Sequence, residues 1–322
     1  NKQRQETQFS TTYKKNLERT VKKADKEKLT DTIYAFCYTD LDRRICINTI
    51  YDGKEPPYFT LYDGKDIEYP LQEYKLPNGQ LLRVPPLKNS YYQSLYNSIV
   101  FPRTINIEKV DVAEIDSQIV RILKRWFIQP ENYFIMARNY IKFTWVYERF
   151  RRSPYLYVFG DYGTGKSEWG KFIAWMCQYG LVLDDVTAAA LARILDMTNC
   201  SVLLDEGDYI DGPESDKIRR ILRNGYARNG NYIVTEQDGK KTYTPRVFLV
   251  DQPKIIIKRR WTKDDALASR MIPFRLLPHD KEIPRSMRRD DESSWEKTLK
   301  SEMADLASLM LSWRWQNIFG RA

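Results

Sequence analysis

Residues 160–167 read Gly-Asp-Tyr-Gly-Thr-Gly-Lys-Ser, preceded by the apolar run 155–159, Tyr-Leu-Tyr-Val-Phe, and followed by a helix-like stretch from Glu168 to Tyr179. The octet has the form G-x-x-x-x-G-K-[ST], and strand, glycine loop and helix are the context that form requires. Gly160, Gly163 and Gly165 let backbone N–H groups converge on phosphate oxygens, with Asp161, Tyr162 and Thr164 completing the loop. Lys166 adds a point charge and Ser167 offers a hydroxyl to Mg²⁺. An NTP site holding ATP and Mg²⁺ is therefore the first expectation.

A second apolar segment, Cys200-Ser-Val-Leu-Leu, delivers Asp205 and Glu206 at its end, 39 residues beyond Lys166. That interval accommodates a helix, a strand and another helix, as a parallel α/β sheet needs. In P-loop ATPases such a pair holds Mg²⁺ with the first carboxylate and polarises the attacking water with the second. A third strand, residues 253–260, ends in Lys258, Arg259 and Arg260. Lys258 or Arg259 either senses a γ-phosphate or simply supplies strand-end charge. Arg270 lies between an apolar helix end and a further strand, and is a candidate to stabilise transition-state charge in a neighbouring subunit's site, or to form a structural ion pair. Between the second and third strands, residues 231–236 and 242–248 flank Asp-Gly-Lys240-Lys241, the pattern of a β-hairpin with a two-lysine tip. Such a tip either grips a phosphate backbone or protects a sheet edge.

The rest of the chain bounds the possibilities. It has 322 residues, a net charge of +9 and a pI near 9.1, with the basic excess spread along the chain, so nucleic acid is the natural polyanionic partner. His279 is the only histidine, which excludes histidine triads and histidine-ligated metals as catalytic devices. Cys37, Cys46, Cys177 and Cys200 lack C-x-x-C spacing, which favours buried thiols and a reducing, intracellular compartment: the cytoplasm, or a host cytoplasm or nucleus for a viral protein. No apolar stretch reaches the ~20 residues of a membrane span, so no membrane partner is expected.

Five segments are expected. Residues 1–30 form a charged helix or arm. Residues 31–102 form a β-rich accessory lobe and connector, with turn signals at Asp52-Gly53, Asp63-Gly64 and Asn78-Gly79 and tyrosines suited to packing or to base stacking. Residues 103–152 form a helical brace in which Ile115, Ile119, Ile122, Leu123 and Trp126 share one face. Residues 153–278 form the ATPase core, and 279–322 a polar segment and C-terminal helix.

Taken in order, the loop with Lys166, Asp205-Glu206, the hairpin with Lys240 and Lys241, the strand to Lys258-Arg259, and Leu267-Ala-Ser-Arg270 resemble an AAA+ ATPase of the branch with a hairpin before sensor 1. That branch holds superfamily 3 and MCM helicases and the primase-associated helicases of viruses and mobile elements. The resemblance covers roughly residues 154–277. It implies an α/β P-loop core with a parallel sheet and a homo-oligomer, a hexameric ring, with Lys240 or Lys241 on the nucleic-acid backbone and Arg270 acting in trans. It further implies an ATP-dependent helicase or translocase on single-stranded or forked DNA, RNA being a further candidate, working with a primase or other replication protein. Sensor 1 is commonly Asn or Thr in the family, where this chain has Lys258 and Arg259, and no clear sensor 2 arginine stands out among Arg285, Arg288 and Arg289. Two alternatives are a regulatory AAA+ ATPase that coats DNA or recruits a partner, and a protein-directed or packaging NTPase.

Overall fold

A computed structural model gives the architecture for residues 32–205, 213–237, 243–277 and 292–320. Seven short strands come first, in two sheets. β1 (Thr32–Tyr34), β7 (Leu81–Arg83) and β6 (Glu73–Lys75) form one; β2 (Cys37–Asp40), β3 (Ile45–Ile50), β4 (Tyr58–Tyr62) and β5 (Ile67–Leu71) form the other, in that order and antiparallel. Their turns are built locally. Asp63 Oδ1 accepts from the backbone N–H of Lys65 and of Asp66, both at 2.8 Å, while Gly64 takes a φ of 96° that a side chain would strain. All six residues of β3 are buried. Cys46 and Ile50 join the main helical core and Ile45 and Ile47 a smaller cluster with Phe59 and Leu82, so both faces of this strand are covered.

Residues 87–102, expected as a connector, contain a helix, Ser90–Ser98, whose start is capped by the Asn89 side chain accepting from Tyr91 N. Helices Val112–Trp126 and Glu131–Thr144 follow. Ile115, Ile119, Ile122, Leu123 and Trp126 are all buried, the outcome of their three-and-four spacing. They pack with the loop helix Lys166–Met176 and the 26-residue helix Glu292–Asn317 in one cluster.

The second half of the chain is organised by a five-stranded sheet with the order β14 (Met271–Arg275), β8 (Tyr155–Phe159), β13 (Lys254–Lys258), β10 (Val202–Asp205), β9 (Leu181–Leu183). All four pairings are parallel. Leu156, Val158, Leu203, Ile255 and Ile257 face one core and Tyr155, Tyr157, Val202, Leu204 and Ile256 the other, which explains why these strands read as continuous apolar runs. The fold is thus mixed α/β. β11 (Asn231–Gln237) and β12 (Tyr243–Leu249) pair antiparallel outside this sheet, with Tyr232, Val234 and Phe248 packed inward.

A buried ion pair ties three distant segments. Arg314 Nη2 and Nη1 donate to Glu148 Oε1 (2.7 Å) and Oε2 (3.0 Å), and Nη2 also donates to Thr39 Oγ1 (2.7 Å). The pair joins the C-terminal helix to the 3-10 turn Tyr147–Arg149 and to β2. The four cysteines are free and buried, and burial pushes the Cys177 and Cys200 thiols up to about 12, so neither is a thiolate at neutral pH. Among the described residues no helix is long and apolar enough to cross a membrane.

Candidate functional site

Because the sheet is wholly parallel, every strand ends at the same edge. Phe159 of β8 pairs with Lys258 of β13 on one side and Arg275 of β14 on the other, and Asp205 of β10 pairs with Ile257 one level lower. The glycine loop therefore leaves β8 directly beside the end of β13, and Asp205 stands two strand spacings away, roughly 10 Å.

Close approach dictates the loop's shape. A Cβ on Gly160 would lie 2.4 Å from the carbonyl oxygen of Leu276, whose own N–H donates to Phe159 O at 2.8 Å. Gly163 and Gly165 take φ values of 76° and 75°, the left-handed region in which glycine is free of strain. Thr164 Oγ1 closes the turn by donating to Asp161 O (2.9 Å). Gly165 then caps the loop helix, whose first-turn N–H groups have no partner within the helix, the arrangement that accepts an anion.

The loop helix lies across β13 and β10 because Gly170 removes the obstacle. A Cβ there would come within 2.5 Å of Ile257 Cδ1 and 2.9 Å of Leu203 Cδ1. A glycine inside a helix costs ~1 kcal/mol relative to alanine, and close seating on the sheet is its reason here. Leu203 faces the helix, so by alternation Asp205, two residues on at the strand's end, lies on the same face of the sheet. The Ser167 hydroxyl and the Asp205 carboxylate are hard oxygen donors of the kind Mg²⁺ takes. Among the described residues there is no cluster of three or more His, Cys, Asp or Glu that could hold a metal ion.

Two cations converge on the loop. Lys166 Nζ donates to Asp161 O at 3.4 Å and lies 5.5 Å from the centre of the Tyr162 ring. The Arg259 guanidinium lies 4.4 Å from the same ring centre, with Nε 3.7 Å from Asp161 Oδ1. Ile257 faces the helix, so by alternation Arg259 projects on that side and Lys258 on the other. These contacts set Arg259 against the loop.

Arg270 is elsewhere. It precedes β14, whose Met271 pairs with Tyr155, the first residue of β8. It therefore stands at the amino edge, a five-residue strand or roughly 16 Å from the loop. There its Nη1 donates to Ala266 O and its guanidinium sits 5.6 Å from the Tyr226 ring centre. Glu206, Lys240 and Lys241 lie outside the described residues. Sequence alone gives Gly170 no function and places Tyr162 only as one of the cofactor-binding loop residues, without its contact to Arg259. A glycine in mid-helix signals the first; the second depends on a partner 97 positions away and has no local signal.

No known protein family matches the chain, and no curated protein does. Among solved structures, a JCV helicase bound to an acetamide compound is 14% identical over 63% of this chain and 54% of its own, with a TM-score of 0.33. The NrS-1 C-terminal region 305–718, in an apo form, is 11% identical over 82% of this chain and 65% of its own, with a TM-score of 0.38. The chain spans about half the length of the former (54%) and 65% of the latter. At these identities and TM-scores the likeness assigns neither fold nor function.

Proposed function

We propose that the chain is an ATP-driven motor of the AAA+ type acting on DNA, a helicase or translocase that works as a ring. The reading is carried by one observation: in a fully parallel sheet, the glycine loop, Arg259 and Asp205 emerge at the same edge, with the loop helix seated across the strands that bear the last two. In this reading the loop N–H groups and Lys166 hold the phosphates, Ser167 and Asp205 hold Mg²⁺, Glu206 orients the attacking water, and Arg259 rather than Lys258 meets the terminal phosphate. The ion would supply charge neutralisation between the phosphates.

Arg270 stands at the opposite edge from its own loop, and this reading assigns it, as the resemblance implies, to a neighbouring copy's site in a ring. Lys240 and Lys241 are assigned to the strand backbone. The net charge of +9 supports sequence-independent binding that weakens with salt. The test is ATP turnover with and without single-stranded DNA across a salt series, using wild-type chain mixed with Arg270→Ala in varying ratios. Stimulation by DNA, and loss of activity steeper than the fraction of variant, are expected. Turnover indifferent to DNA and falling in proportion to the variant would replace the motor with a regulatory or protein-directed ATPase.

A further inference from the structure

Tyr162 has no part in the chemistry described so far. Backbone N–H groups, a lysine and a hydroxyl are enough to cradle phosphates, and a side chain 68% exposed gains little from burial. Its ring nevertheless has two cations within cation–π range, the Arg259 guanidinium at 4.4 Å and the Lys166 ammonium at 5.5 Å from its centre. The neighbouring carboxylate of Asp161 holds Arg259 from the other side, 3.7 Å from Nε. That Nε is shielded from solvent and makes no hydrogen bond among the described residues.

The direction of the phosphate chain follows from the strand order. The loop leaves β8, and β13 and then β10 lie to the side where Asp205 stands. On the phosphate-site reading, phosphates cradled by the loop and helix start would extend toward that side, bringing the last of a triphosphate to the end of β13. We infer that Tyr162 is a positioning residue: its ring holds Arg259 over the loop mouth, where the guanidinium distinguishes a nucleoside triphosphate from a diphosphate. This rests on the phosphate-site reading above and adds to it the residue that sets triphosphate selectivity. Lysine in place of Arg259 would be a poorer partner, because a planar guanidinium both stacks on a ring and presents a fork to phosphate.

The test is calorimetric titration of the full chain with Mg²⁺ and either ADP or the β,γ-imido analogue of ATP, for wild type, Tyr162→Phe, Tyr162→Leu, Arg259→Ala and the double variant Tyr162→Leu/Arg259→Ala. Tyr162→Leu should weaken the triphosphate analogue about three- to tenfold, the range of a partly desolvated cation–π contact, and leave ADP within about twofold. Tyr162→Phe, which keeps the ring face, should retain wild-type selectivity, and the double variant should lose no more than Arg259→Ala alone. Equal loss for both nucleotides, additive losses in the double variant, or a Tyr162→Phe as impaired as Tyr162→Leu would overturn the positioning role. A wild-type chain that binds neither nucleotide would overturn the phosphate-site reading itself, and the inference with it.

Discussion

β13 begins and ends with lysine, Lys254 at the amino edge of the sheet and Lys258 at the carboxyl edge, and the two ends of the strand sit in opposite surroundings. Lys254 is fully buried; its ammonium donates to Val250 O (2.6 Å) and Gln252 O (2.7 Å) and lies 5.2 Å from the Tyr155 ring centre. Burial pulls its pKa down to about 7, against the opposing pull of the Asp251 carboxylate. Arg270 at the same edge is engaged with Ala266 O and the Tyr226 ring. At the carboxyl edge, Lys258 is half-buried, Arg259 leans on an exposed tyrosine, and a helix start offers N–H groups without partners in the helix. Lys254 at the amino edge is committed to holding the fold together, while the carboxyl edge sets Lys166, Arg259 and a helix start around the glycine loop. A cation therefore marks structure at one end of the strand, in Lys254, and a candidate site just past the other, in Arg259.

If that contrast is right, substitutions at Lys254 and at the carboxyl edge should separate stability from activity. The largest effect is expected from Asp205→Ala, which removes the carboxylate proposed to hold Mg²⁺; ATP turnover should fall by about 10³-fold, near 4 kcal/mol in the barrier, with unfolding by denaturant almost unchanged. Retained turnover would remove Asp205 from the site. Lys254→Ala should do the reverse, costing about 3 kcal/mol of stability through a cavity and two carbonyls left unpaired, while nucleotide affinity stays within about twofold. A Lys254→Ala chain that is stable but cannot bind nucleotide would erase the distinction between the edges.

Gly170→Ala probes the seating of the loop helix. The new methyl meets side-chain ends that can shift slightly, so a loss of about 1–2 kcal/mol is expected, together with weaker nucleotide binding, since the loop moves with the helix. Stabilisation instead would mean that the helix does not sit on Ile257 and Leu203 as described.

The smallest effect is a pH dependence at the amino edge. Lys254 holds its proton to about 7 when folded, whereas an unfolded lysine holds it to about 10.4, so between those values the unfolded chain binds more protons and stability rises with pH. Wild type should gain about 1 kcal/mol between pH 7 and 8 relative to Lys254→Met. A flat difference would show that Lys254 stays charged when folded.

Much of this was open to a reader of residues alone, for identifiable reasons. The loop is legible because glycine positions and Lys-Ser are constrained by contact with phosphate, and the helices because Ile115, Ile119, Ile122 and Leu123 repeat at the period of a buried face. Asp205 was legible as the polar end of an apolar strand. Strand order was not: nothing local says that β13, the fourth of these strands in the chain, inserts between β8 and β10. Nor does Lys-Ile-Ile-Ile-Lys reveal which lysine is buried, because partners such as Val250 O and the Tyr155 ring are set by tertiary packing. The Arg314–Glu148 pair, 166 residues apart, and the Tyr162–Arg259 contact are invisible for the same reason. Residues 87–102 read as a connector because their tyrosines, asparagines and serines carry no strong helical pattern; capping by Asn89 and ring packing of Tyr96 on Phe36 and Phe101 make part of them a helix.

The central claim is that the carboxyl edge holds a nucleotide through its loop. Calorimetric titration of the full chain with ATP and Mg²⁺, for wild type and Lys166→Ala side by side, tests it most directly. One bound nucleotide per wild-type chain, with affinity in Lys166→Ala reduced by about tenfold or more, is the result expected. Equal binding by the two chains, or binding by neither, would contradict the account.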